Sequence, residues 1–184
     1  MPWPTPIEIV RLALDYGDRG VVGLDLSGRE EGFPPEMFAD AFEVARGAGL
    51  GITVHAGEDA GPEGVRCAVT CLGATRIGHG VRIVQDPSVL RLVRNSGVCL
   101  EICPTSNVLT HAVESLDSHP VRELYEAGVA LTINTDDPSV CRVSLTDEYR
   151  LLVDRFGFSL DDLGRLIANA ERSAFFRKQE VGLI

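Results

Sequence analysis

Two periods of apolar residues alternate along the chain. Five short runs, Val21 to Leu26, Ile52 to His55, Thr75 to His79, Val98 to Cys103 and Val129 to Asp136, are apolar and often β-branched. That is the pattern of strands covered on both faces. Between them, apolar residues recur three and four apart, as in Met37, Ala41, Val44 and Ala45, then Val65, Ala68, Val69 and Leu72. This spacing predicts helices. Pro35, Pro62, Pro87 and Pro120 sit near the predicted helix starts, and Gly47, Gly73, Gly97 and Gly128 near their ends. Asp86 is placed to cap the helix that begins at Pro87, and Thr5 to cap one from Pro6 to Tyr16 with Ile7, Val10 and Leu14 on one face. Two more helical patterns follow the last strand, Leu145 to Phe156 and Leu160 to Phe176, the second opened by Ser159 and Asp162 in capping-box spacing. Strand followed by helix, repeated, predicts an α/β fold with a parallel sheet, open or closed into a barrel.

A closed (β/α)8 barrel needs eight such units and about 250 residues, with its chemistry at the C-terminal ends of the strands. Only five units are visible in these 184 residues. Asp25, His55, His79 and Asp136 nevertheless each stand at or near the end of an apolar run. In a barrel wall, one mouth collects all four.

Composition narrows the picture. A chain that is 45% hydrophobic and 24% charged has the balance of a globular protein able to bury a core. Acidic residues outnumber basic ones by 27 to 17, for a formal net charge of -10, which argues against nucleic acid as a partner. The 5 cysteines include no Cys-x-x-Cys pair, so neither a disulfide framework nor a zinc ribbon is signalled, and a reducing cytoplasm is the simpler expectation. Cys67 with Cys71, and Cys99 with Cys103, read as small buried hydrophobes. No basic region followed by an apolar stretch opens the chain, and no uncharged run approaches the ~18 residues of a membrane span. The expectation is a protein neither exported nor embedded.

Three segments carry candidate chemistry. Thr53-Val54-His55-Ala56-Gly57-Glu58 sets an imidazole at a strand end and a carboxylate three residues on. An imidazole is a good zinc ligand, and a carboxyl group in a desolvated mouth can serve as an acid near neutrality. Taken alone the pair is better read as a histidine hydrogen-bonded in the core and a solvated glutamate. Arg76-Ile77-Gly78-His79-Gly80 adds a second imidazole between glycines that permit close approach of another group. Asn134-Thr135-Asp136-Asp137-Pro138 ends a buried strand on two adjacent carboxylates, which repel one another unless a cation or donor compensates them. A metal does so; capping of the next helix accounts for Asp137 alone.

Taken together, VVGLDLSGRE, TVHAGED, RIGHGVRI, LEICPTSNV and LTINTDDPSV resemble the adenosine deaminase family, in that family's order and spacing, over nearly the whole chain from Val21 onward. The resemblance implies a (β/α)8 TIM barrel holding one zinc, of which residues 1–184 form a single C-terminal portion with about five of the eight units. It implies that His55 and Asp136 are two of the zinc ligands. It implies further that Glu58 protonates a purine ring nitrogen, that His79 assists the attacking water, that Asp137 hydrogen-bonds another ring nitrogen and that the backbone of Gly28 reaches a third. The implied activity is hydrolytic deamination of adenosine or a related 6-aminopurine, with release of ammonia. The other zinc deaminase signature, His-x-Glu with Pro-Cys-x-x-Cys, does not occur in this sequence.

The family's other two zinc ligands come from a His-x-His motif on its first strand, and this sequence contains none. Its remaining histidines, His111 and His119, read as polar loop residues. Arg29 stands where the family commonly has an acidic or small residue. Two readings follow: a fragment of a working deaminase, or a truncated, inactive barrel acting as an interaction or self-associating module, to which two open sheet edges would be suited. Substrate identity and oligomeric state are not legible at this level.

Overall fold

Each predicted strand forms, flanked by the helices its punctuation marks. The computed structural model describes residues 4–176. Helix α1 spans Pro6–Asp15, followed by strand β1 (Gly23–Leu26), helix α2 (Ala39–Gly47), β2 (Gly51–Ala56), α3 (Pro62–Cys67), β3 (Arg76–His79), α4 (Pro87–Ser96) and β4 (Cys99–Ile102). Then come α5 (Pro104–Leu109), α6 (Val121–Glu126), β5 (Ala130–Ile133), α7 (Pro138–Cys141), α8 (Leu145–Phe156) and α9 (Leu160–Ser173). The caps hold as read. The Asp86 carboxylate accepts the Ser88 N–H at 2.7 Å, Ser159 and Asp162 form a capping box, and Gly73, Gly97 and Gly128 follow their helices with φ of 70°, 71° and 79°.

All neighbouring strands are parallel and follow one another in the order β1-β2-β3-β4-β5. A doubly wound sheet reverses its strand order at the centre. A monotonic order keeps every crossover on one side, which is the winding of a barrel wall. Side chains alternate accordingly. Ile52, Val54 and Ala56 of β2 and Ile77 of β3 are buried under the helices, whereas Thr53, His55, Arg76 and Glu101 line the other face and are only half-buried.

Here the structure corrects the expectation that the strands are covered on both faces. Among the described residues the five strands do not close on themselves, and the inward-pointing side chains meet no opposite wall there. That face is polar and internally bonded. Thr53 Oγ1 donates to Glu101 at 3.2 Å, and Arg76 Nε lies 3.4 Å from the same carboxylate. Phe175 closes the base of the wall, with Arg76 stacked 3.8 Å from its ring centre. Gly23 and Gly51 lie under that ring, where a Cβ on either residue would collide with it. On β5, Asn169 Nδ2 of α9 donates to the Leu131 carbonyl at 2.8 Å.

Other corrections are local. Helix α2 begins only at Ala39, so it buries Ala41, Phe42 and Ala45 and leaves Met37 and Val44 exposed. Cys71 is exposed, unlike the buried Cys99 and Cys103, because α3 ends at Cys67 in a wider turn through Leu72. Residues 104–109, for which the apolar pattern predicts no element, form α5. No helix among the described residues is long and apolar enough to cross a membrane.

Leu100 is fully buried at the centre of the wall and packs beside Gly80. Leu100→Ala is expected to lower unfolding free energy by about 2–5 kcal/mol, measured as a shift in urea midpoint at constant slope.

Candidate active site

The C-terminal ends of the strands gather the polar residues into one cleft. A cavity of about 470 Å³ is lined by Asp25, His55, His79, Glu101 and Asp136, so the mouth expected from the strand-end pattern is formed. A neighbouring cavity of about 330 Å³, walled by Gly28, Phe33, Phe38 and His55, meets it at His55. Gly28 also lines a smaller cleft with His55 and Glu58.

The turn after β2 carries Glu58 and is held from outside by one carboxylate. Glu30, in the β1–α2 loop, accepts the backbone N–H groups of Gly57, Glu58, Asp59 and Ala60 at 2.8, 2.9, 2.9 and 3.1 Å. Its Oε1 also lies 3.4 Å from His55 Nε2. Burial by itself raises a carboxyl, but the bonds from His55 and from the amides of Asp59, Glu58 and Gly57 outweigh it and hold Glu30 at about 2. Successive amides converging on an anion make a nest. The turn has no room for a side chain at Gly57. A Cβ on Gly57, whose φ is +74°, would stand 2.7 Å from Val65 and 3.2 Å from the Cα of Gly80.

Glu58 points inward, and both of its oxygens are engaged. Oε2 lies 3.4 Å from His55 Nε2; Oε1 accepts from Thr110 Oγ1 at 2.8 Å and from Asn107 Nδ2 at 3.3 Å. Asn107 Nδ2 also meets His79 Nδ1 at 2.9 Å. The ring of His79 stands edge-on to that of His55, their centres 4.6 Å apart. The ligand atoms of His55, Glu58 and His79 all lie within 4.8 Å of one another. Burial lowers His79 below the ordinary imidazole value; the charge of Glu58 opposes this and that of His55 adds to it. His55 is also pulled down by burial, yet its bond to Glu30 and the charges of Glu30, Glu58 and Asp136 bring it above the ordinary value.

Two site residues are held in left-handed backbone conformations. His79 has φ of 63° and Asp136 of 58°, a region that side-chain-bearing residues enter at a cost. Asp136 sits in the cleft, and its Oδ2 accepts from Ser106 Oγ at 2.6 Å. Asp137 is exposed and caps α7, accepting the Val140 N–H at 3.3 Å. The capping role considered for it is therefore occupied.

The short α5 is the part of the site that sequence reasoning missed. It supplies Ser106, Asn107 and, at its C-cap, Thr110. Glu148, buried on α8, accepts the Thr105 N–H at 3.2 Å and so ties the start of α5 down. Burial raises this carboxyl above its ordinary value. His119 is not the polar loop residue expected: it is 5% exposed, packs against Phe156, accepts the Val121 N–H on Nδ1 at 3.1 Å and bonds Asn107 Oδ1 through Nε2 at 3.3 Å. Burial lowers it to about 4. His111 is exposed. The signals for α5 were the helix-start Pro104 and a run of polar residues too short to show a period.

The donor set suits a small hard or borderline cation. Two imidazoles, His55 and His79, stand with the carboxylates of Glu58 and Asp136 at the cleft, which is the nitrogen and oxygen chemistry zinc accepts. Glu30 and Glu58 both lie 3.4 Å from His55 Nε2, and Glu58 lies 3.5 Å from His79 Nδ1, so a cation beside them compensates repulsion that the imidazoles alone leave standing.

Parallel strand-helix units with imidazoles and carboxylates gathered at the C-terminal strand ends are the arrangement of a (β/α)8-barrel enzyme. The family model described as adenosine deaminase matches residues 5–183, and the chain belongs to that family. An adenosine deaminase from Shewanella denitrificans is 44% identical over 155 residues, covering 84% of this chain and 47% of the relative. Among solved structures, an adenine deaminase from Arthrobacter aurescens superposes with a TM-score of 0.87 at 32% identity, over 94% of this chain and 53% of its own. An amidohydrolase from Burkholderia ambifaria with bound zinc gives 0.84 at 29% identity, over 95% and 50%. An Arabidopsis relative complexed with IMP gives 0.85 at 32%, over 94% and 50%. The chain thus spans about half the length of the relatives it matches.

Two outcomes test the two supports of the site. Glu30→Ala strips the acceptor from four amides and is expected to cost about 3 kcal/mol, with faster hydrogen exchange at residues 57–60. His119 titrates lower in the folded chain, so the unfolded chain binds more protons over the window from its ordinary 6.5 down to about 4. Stability from this group is complete above that window and falls as pH drops through it, by about 3 kcal/mol. The slope should be absent from His119→Gln, compared by urea denaturation at several pH values.

Proposed function

We propose that this chain carries the proton-donating and purine-reading part of a zinc-dependent deaminase site, which converts a 6-aminopurine to the 6-oxo compound and ammonia. The observation behind it is the cluster of His55, Glu58 and His79, with Glu58 fixed through both oxygens at the mouth of the wall. His55 and Asp136 would hold zinc, together with ligands from outside these residues. Zinc, when bound, supplies a water acidified toward neutrality.

The residues of this chain do the rest. Glu58, as the acid, gives its proton to a ring nitrogen, and loss of ring conjugation makes the neighbouring amino-bearing carbon electrophilic. His79 hydrogen-bonds the attacking oxygen. Asp137 and the backbone of Gly28 read two further ring nitrogens. The tetrahedral carbon then breaks its bond to the amino group, which leaves as ammonia with one proton of the attacking water while the other restores Glu58. The purine is the small-molecule partner, and adenosine, adenine and adenosine phosphates share this reacting ring.

The test is ammonia release from a panel of aminopurines, for the 184-residue chain and for the same chain joined to an N-terminal barrel half that carries His-x-His. Two zinc ligands fall short of the three protein ligands usual in catalytic sites. The chain alone is therefore expected to bind zinc weakly and turn over little; the joined form is expected to be active. Glu58→Gln in the joined form is expected to lose activity at least 100-fold, on the order of a general acid's contribution. Unchanged turnover in Glu58→Gln would remove Glu58 from this role, and no ammonia from any aminopurine would remove the reading itself.

A further inference from the structure

We infer that His119 and Asn107 are positioning residues that place the single proton of neutral His79 on Nε2. The proposal deepens the deaminase reading and rests on it for its catalytic meaning. Its geometry stands independently.

One chain of buried bonds leads from the start of α6 to the cleft. The Val121 N–H can only donate, so His119 Nδ1, 3.1 Å away, is the acceptor nitrogen of that ring. The proton of neutral His119 therefore sits on Nε2. That nitrogen lies 3.3 Å from Asn107 Oδ1 and donates to it. The side-chain amide of Asn107, fully buried, is thereby oriented with its oxygen toward His119 and its NH₂ toward the cleft. One N–H meets Glu58 Oε1 at 3.3 Å and the other meets His79 Nδ1 at 2.9 Å. An amide N–H cannot accept, so His79 Nδ1 is an acceptor as well. The remaining proton of His79 is on Nε2, the nitrogen left to a ligand in the cleft that His79 lines.

The consequence is a definite role. A neutral His79 with Nε2–H offers the cleft a donor, which orients an attacking oxygen through that oxygen's lone pair. With the opposite tautomer it would offer a lone pair and compete for the oxygen's proton. Glu58 Oε1 lies 3.5 Å from His79 Nδ1 and would accept a proton there, so the choice rests on which way the Asn107 amide faces, and that is set through His119 by a backbone amide at the start of α6. A neutral His119 is required for it, and the burial of that ring secures this near neutrality.

Long-range ¹H–¹⁵N spectra of the histidine rings report which nitrogen is protonated, and the 4 histidines can be assigned by single substitution. The measurement is made on the metal-free 184-residue chain at neutral pH without substrate, so its outcome is independent of whether any aminopurine is deaminated. Wild-type His79 should show a pyridine-like Nδ1 and a pyrrole-like Nε2, and His119 the same. His119→Phe keeps a ring against Phe156 but removes the donor, and should convert His79 to a mixture of tautomers. His119→Gln restores an N–H donor and should return His79 to the single form. Asn107→Asp presents only acceptors and should move the proton to Nδ1. A wild-type His79 protonated on Nδ1 overturns the proposal, as does a His79 spectrum unchanged in both His119→Phe and Asn107→Asp. Should His119→Phe fail to fold, the wild-type and Asn107→Asp spectra decide it.

Discussion

Much of the site hangs on one carboxylate that takes no part in the chemistry. Glu30 reaches from the loop after β1 into the turn after β2 and accepts four successive backbone amides there. A turn of this kind, with a glycine at positive φ and four amides pointing the same way, has no internal acceptors to satisfy it. The glutamate supplies them all at once, and the charge concentrates the effect. Because the turn is pinned from its outer side, Glu58 is directed inward and His55 is kept beside it. Close approach of Gly57 to Gly80 then locks the ends of β2 and β3 together, and with them the two imidazoles.

A second support comes from the far side of the cleft. Helix α5 has six residues and on propensity alone would not persist. It is held at its start by Glu148 and along its length by the bonds of Ser106, Asn107 and Thr110 to Asp136, His79 and Glu58. Buried polar groups linked this way stabilise one arrangement sharply, since any single rearrangement leaves several of them unpaired in a low-dielectric interior. The two supports meet at Glu58. Its backbone answers to Glu30 and its side chain to α5.

The sequence made the wall legible and its supports less so. Periods of apolar residues, prolines at helix starts and glycines at helix ends located all five strands and most helices, because those signals are local. His55, His79, Asp25 and Asp136 could be assigned to one mouth from strand-end positions alone. Glu30 could not, since the partners of its carboxylate lie 27 to 30 residues away and form no pattern. Asn107 and His119 were invisible for a similar reason: a buried polar residue is distinguished from a loop residue only by what covers it. Expecting both sheet faces to be covered was the natural reading of apolar strands. It failed on the inward residues Thr53, Arg76 and Glu101, whose polarity belongs to a barrel interior rather than to a solvent face.

The left-handed backbone at His79 and Asp136 has a bearing on how this wall can be changed. A non-glycine residue in that region gives up about 1–2 kcal/mol relative to glycine. At Asp136, which is exposed, glycine would relieve the backbone while deleting the carboxylate; at the buried His79 it would leave a cavity and an unpaired Asn107 amide that outweigh the relief. Selection for thermal tolerance alone, applied to a library of this chain, has an easy route to higher melting temperature through Asp136, a residue proposed to hold zinc. Stability screens of such barrels reward disarmament unless activity is scored in the same round.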